Sequence, residues 1–81
     1  MSIVWAEHKR QLNLRNRRLD FADLDEEFFV AALVVPAQQE RYKAIGWFDN
    51  EPHAVIFKPL GSEALSIISL RRASNRERKL L

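Results

Sequence analysis

Apolar residues recur along the chain at two spacings, and the change from one to the other sets the expected elements. Ile3-Val4-Trp5 is short, apolar and β-prone, while residues 6–15 are rich in helix formers with only a thin apolar stripe, so an edge strand should lead into a largely exposed helix. After Asp20, apolar side chains fall at Phe21, Leu24 and Phe28 with Asp23, Asp25, Glu26 and Glu27 between them, the pattern of an amphipathic helix whose acids suit its N-terminus. Residues 30–35 fit either a continuation of that helix or a buried strand, and the valines with the closing Pro36 favour strand. Residues 41–47, 53–58 and 65–70 read as three strands of a meander, joined by turns at 48–52 and 59–63 where Asp, Asn, Pro and Gly gather. Ser74 and Glu77 stand in the S-x-x-E order of a capping box and open a last helix. The expected fold is α+β, a small antiparallel sheet with two N-terminal helices and one C-terminal helix.

Length and composition narrow the chemistry. At 81 residues, residues 1–81 are expected to form a single domain. The absence of cysteine removes disulfide scaffolds, thiolate nucleophiles and the common zinc sites. His8 and His53 lie too far apart for metal-ligand spacing, and Gly46 and Gly61, the only glycines, form no phosphate-cradling loop, so neither a metal nor another cofactor is expected. The longest apolar run, residues 28–36, is too short to span a bilayer and the N-terminus does not have the order of a signal peptide, which predicts a cytoplasmic protein without a membrane partner.

Charge is segregated. Residues 1–18 carry five bases against Glu7, residues 19–40 six acids and no base, and residues 71–81 five bases against Glu77. If the two basic ends meet in space, they form one positive surface for a polyanion; apart, they are two ordinary solvated faces. The segment from Ile67 to Lys79 places Arg71 and Arg72 between a buried strand and a capped helix, where two guanidiniums would suit phosphate, against the alternative of a solvated basic tail.

That segment, Ile67-Ile68-Ser69-Leu70-Arg71-Arg72-Ala73-Ser74-Asn75-Arg76-Glu77-Arg78, resembles the closing pattern of the BrnT-like toxins of type II toxin-antitoxin pairs, and Glu40-Arg41-Tyr42 with Ile45-Gly46 is similar to that family's E-R-Y-x-x-I/L-G strand. Trp5, Asn13-Leu14-Arg15 and Phe21 also fall where the family places W, N-L-x and F. The resemblance implies a RelE-like ribonuclease fold. It also implies RNA cleavage that inhibits translation, and neutralisation by a cognate antitoxin of the DNA-binding repressor type, so that operator DNA is read only through the complex. Two departures stand out. Asn16-Arg17-Arg18 replaces the family's usual K-H-G, and Phe57-Lys58-Pro59-Leu60-Gly61 replaces an aromatic-T-x-R-G pattern, so a histidine and an arginine are missing.

Metal-independent RNA cleavage needs a base for the 2′-hydroxyl, cations for the pentacovalent phosphate and an acid for the leaving oxygen. Arg41, Arg71 and Arg72 are the candidates to clamp phosphate, with Arg76 and Arg78 as further RNA contacts and Tyr42 or Trp47 as a base platform, although aromatics in strands more often pack. Alternation puts Arg41 and Tyr42 on opposite faces unless the strand bulges. His8 and Lys9 are the weaker catalytic candidates; His53 reads as strand surface, and Glu77 as a cap whose carboxylate, close to arginine, is a poor proton shuttle. A module that keeps the fold and binds a partner or nucleic acid without cleaving is the alternative function.

Overall fold

The computed structural model describes residues 1–81, which run as β1 (Ser2–Trp5), α1 (Glu7–Arg17), a 3-10 turn (Phe21–Asp23), α2 (Glu26–Ala31), β2 (Leu33–Pro36), β3 (Tyr42–Phe48), β4 (Glu51–Leu60), β5 (Ala64–Arg72) and α3 (Asn75–Arg78). The strands form one sheet in the order β1-β5-β4-β3-β2. Strands β2 to β5 pair antiparallel in sequence, whereas β1 lies parallel to β5, with Ser2 opposite Ala64 and Trp5 opposite Ile67. The sheet is therefore mixed and not wholly antiparallel as expected. The long excursion from β1 through the helices and the meander supplies the crossover that parallel pairing requires. No helix is long and apolar enough to cross a membrane.

The segment from Asp20 is not one helix. The Asp20 carboxylate accepts from the Ala22 amide at 2.9 Å and closes the 3-10 turn, and Asp25 accepts from the Phe28 amide at 3.0 Å and starts α2. Two aspartates offering local bonds to the backbone break the helix that the apolar spacing would otherwise sustain. The spacing still identifies the core, because Phe21, Leu24 and Phe28 are all buried. Helix α2 ends at Ala31 and the chain turns into the edge strand β2, so strand is the outcome for Leu33–Pro36 only.

Helices α1 and α2 and the 3-10 turn cover one face of the sheet, where Phe21, Phe28, Phe29, Val55, Phe57 and Leu70 pack together. Gly46 permits the approach of α2, since a Cβ there would lie 3.2 Å from Ala32 and 3.3 Å from Phe28. A bulge in β5 adjusts the other face: Ile56 pairs with Ser69 and Phe57 with Ile67, which leaves Ile68 as the extra residue. Leu65 and Ile67 alternate into the core, and the bulge shifts the phase so that Leu70 returns to it and Arg71 points away. On that second face Ile45 and Ala54 are buried at the positions alternating with the core residues Ala44 and Val55, and α3 folds back over them with Ala73 and Glu77 inward.

Asn13 joins α1 to the sheet. Where β1 ends, the buried Asn13 side chain takes the place of a strand neighbour, accepting from the Leu70 amide at 3.1 Å and donating to the Leu19 carbonyl at 2.9 Å. A polar residue otherwise costly to bury is thereby satisfied at both ends of its amide.

Candidate functional site

The most developed polar cluster sits under α3, and it starts from the capping box. The Ser74 hydroxyl accepts from the Glu77 amide at 3.2 Å, and the Ser74 amide donates to Glu77 Oε1 at 2.8 Å. The carboxylate does more than cap. Arg71 donates to it through Nη1 at 2.6 Å and Nη2 at 2.9 Å, and Lys43 Nζ lies 2.8 Å from Oε2. The Glu77 side chain is only 7% exposed, so two cations and an amide stand in for water around one buried anion. The Arg71 guanidinium holds the Glu77 carboxyl far below the usual carboxylate range, with Lys43 and the Ser74 amide adding to this against the opposing effect of burial. Glu77 in turn raises the Arg71 guanidinium above its ordinary value. Such a carboxylate is a fixed counter-charge and not a proton shuttle near neutrality.

The expected arginine pair is separated. Arg72 pairs with His53 in the ladder on the face opposite Arg71, and its side chain is 72% exposed, with Nε 3.7 Å from Glu51. The two guanidiniums therefore cannot close on one phosphate as a pair. Arg41 is half-buried at the end of the tight 38–41 turn, with no ion pair, and Tyr42 stacks on Phe57 with ring centroids 6.0 Å apart and planes 29° apart. Arg76 and Arg78 are exposed on α3 with no acid in ion-pair range. Trp47 is exposed and free to meet a ligand.

On α1, His8 is exposed and makes no hydrogen bond, while Lys9 lines a shallow groove of about 160 Å³ with Asn13, Asn16, Arg17 and Ile68. Ile68 and Arg71 are three residues apart on β5, about 10 Å along the strand, so the Lys9 groove and the Glu77 cluster border the same strand. Arg17 stands in that groove at the position of the missing histidine. Leu60, at the position of the missing arginine, pairs with Ala64 at the far end of β4 from the Arg71 partner Ala54, about 20 Å away along the strand. His53, expected on the strand surface, is 2% exposed, with Nδ1 2.9 Å from the Glu51 carbonyl and its ring edge-on to Phe48. Its position beneath the β3–β4 hairpin makes it a packing residue.

Sequence reasoning missed Lys43 and Arg17. Strand alternation from the buried Ile45 would have placed Lys43 on the α3 face, but only the fold of α3 over β3 brings it to Glu77.

A family model described as the ribonuclease toxin BrnT of type II toxin-antitoxin systems matches residues 5–77 of this chain. The chain belongs to the BrnT toxin family. The crystal structure of the Brucella abortus ribonuclease toxin, BrnT, is similar throughout, at 55% identity, covering 93% of this chain and 99% of that one, with a TM-score of 0.86. A search of curated proteins gives no match. The BrnT-family match runs from Trp5, beside α1, to Glu77, the residue on which the cationic cluster closes.

Proposed function

We propose that this chain, acting as one domain, is the ribonuclease toxin of a type II toxin-antitoxin pair. In this reading it cuts RNA without a metal ion, inhibits translation and is neutralised by a cognate antitoxin. The observation that carries the reading is the charge left over at Glu77: Lys43 and Arg71 share a single carboxylate, and Arg76 and Arg78 on the covering helix are unpaired. Arg71, held at a fixed angle by its bidentate bond, offers an oriented positive edge for a phosphate without further ordering cost. Lys9, in the groove on the other side of β5, and its neighbour His8 supply groups that can move a proton to or from the ribose and leaving oxygens. Arg72 and Arg41 contribute more distant phosphate contacts, and Tyr42 offers an aromatic edge. The antitoxin, a DNA-binding repressor in this reading, would carry the complex to operator DNA.

His8 has no hydrogen-bonded partner that would tune or orient it, and this favours a second reading in which the fold binds RNA or a partner without cleaving. Incubation of the purified protein with single-stranded RNA in excess EDTA decides between the two. The toxin reading expects cleavage that falls at least tenfold in Lys9→Ala and in an Arg72→Ala, Arg76→Ala, Arg78→Ala triple variant, with melting temperatures unchanged. Salt-sensitive binding with no cleavage would leave the second reading standing.

A further inference from the structure

The acidic middle of the chain has a concavity of its own. An open groove of about 850 Å³ lies between the C-terminal turn of α1, the 3-10 turn, α2 and the tip of the β3–β4 hairpin. Its apolar lining includes Leu14, Leu19, Phe28 and Phe48, and Trp47 stands in it with 64% of its surface exposed. Asp20, Asp23, Asp25, Glu27 and Asp49 also line it, against Arg18 as the single base. Asp20 is already paired with Arg10 and Asp25 caps α2, but Asp23, Glu27 and Asp49 have no cation within ion-pair range.

We propose that this groove docks a cationic amphipathic segment of the antitoxin, with its lysines or arginines on the rim carboxylates and its apolar side chains over the floor. The inference rests on the toxin reading above and adds where, and by what chemistry, the partner binds. Charge complementarity selects the occupant. RNA phosphates and acidic peptides are repelled by the unpaired carboxylates, and a purely apolar segment would strip water from them without compensation. A segment with both characters satisfies the acids and covers Trp47, an exposed indole that can take a guanidinium on its face. None of the lining residues belongs to the Glu77 cluster.

The test uses the full chain and the protein encoded by the adjacent reading frame, titrated calorimetrically at about physiological salt. A triple variant, Asp23→Asn, Glu27→Gln and Asp49→Asn, and separately Trp47→Ala, should each raise the dissociation constant at least tenfold, with the loss in the triple variant greatest at low salt. RNA cleavage should be unchanged in the triple variant, and melting curves confirm that both variants fold. No complex with the wild-type chain, or a complex indifferent to these substitutions, overturns the groove as the docking site. Failure of the wild-type chain to cleave RNA overturns the toxin reading instead.

Discussion

Arg10 and Arg71 each grip one carboxylate with two nitrogens, Arg10 on Asp20 at 2.7 and 2.9 Å and Arg71 on Glu77 at 2.6 and 2.9 Å. What surrounds the pairs differs in sign. Arg10 is shared with a second acid, Glu7, at 2.7 Å, so its cluster has one anion too many. Glu77 is shared with a second base, Lys43, so its cluster has one cation too many. The setting differs as well: Asp20 is half-buried and Glu7 exposed, whereas Glu77 is enclosed beneath α3. The same bidentate contact therefore ends as part of an acidic rim at one end of the molecule and as an ordered positive site on the other face of the sheet. A count of ion pairs would treat them as equivalent; the unpaired partner and the burial decide what each does.

The difference in enclosure should show most strongly in stability. Glu77→Ala removes the capping-box carboxylate and leaves Arg71 and Lys43 without their shared anion, and should cost about 3 kcal/mol. Asp20→Ala removes an Asx cap and a more accessible pair, and should cost about 1 kcal/mol. Urea unfolding of the two variants measures both. Equal losses would mean that enclosure under α3 adds nothing to the Glu77 pair.

The local half of this cluster was legible in the sequence and the long-range half was not. S-x-x-E announces the cap because both partners lie within one helical turn. Lys43 reaches Glu77 only through the pairing of β3, β4 and β5 and the fold-back of α3, none of which is written in a local pattern. Strand alternation alone would have separated Arg71 from Arg72, and the bulge at Ile68 decides which of them faces α3. The strands themselves follow from their apolar residues, but the parallel setting of β1 does not, because four residues carry no mark of the direction of a neighbour. In the acidic segment the apolar spacing found the core correctly and hid the break at Asp25, where a capping side chain outweighed helical continuity.

Acid should separate the two clusters further. Glu77, Asp20 and Glu7 all have folded-state pKa values below their ordinary ones, chiefly through bonds from Arg71 to Glu77, from Arg10 to Asp20 and from Gln11 and Arg10 to Glu7. A lowered folded-state value means that the stabilisation is complete above the unfolded pKa, 4.5 for Glu77 and 3.8 for Asp20, and drains away as pH falls below it. Unfolding free energies measured from about pH 6 down to about pH 3 should fall steeply in the wild-type chain. Glu77→Gln should flatten that slope more than Asp20→Asn, because the Glu77 carboxylate is the more enclosed of the two and is held by Arg71, Lys43 and the Ser74 amide together. A larger flattening in Asp20→Asn would place the principal acid-sensitive contact at the wrong end of the molecule.

The smallest effect concerns Arg18, where backbone and charge can be separated. Arg18 ends α1 in the left-handed region, at φ 59° and ψ 32°, with its amide donating to the Leu14 carbonyl at 2.9 Å. A side chain there crowds the backbone in a conformation that glycine adopts freely, and glycine is what the family pattern usually has at this point. The departure from K-H-G is thus, at its last position, a departure in helix capping. Arg18→Gly should raise stability by about 0.5 to 1 kcal/mol, while Arg18→Ala, which keeps the Cβ, should change it by less than about 0.5 kcal/mol. Both substitutions also remove the only base lining the acidic groove, and should strengthen its binding of a cationic partner to the same extent. A stability gain shared by Gly and Ala would trace the effect to charge; a gain confined to Gly, with equal gains in partner affinity, would show that the conformation of Arg18 sets the helix end and its guanidinium sets the field of the groove.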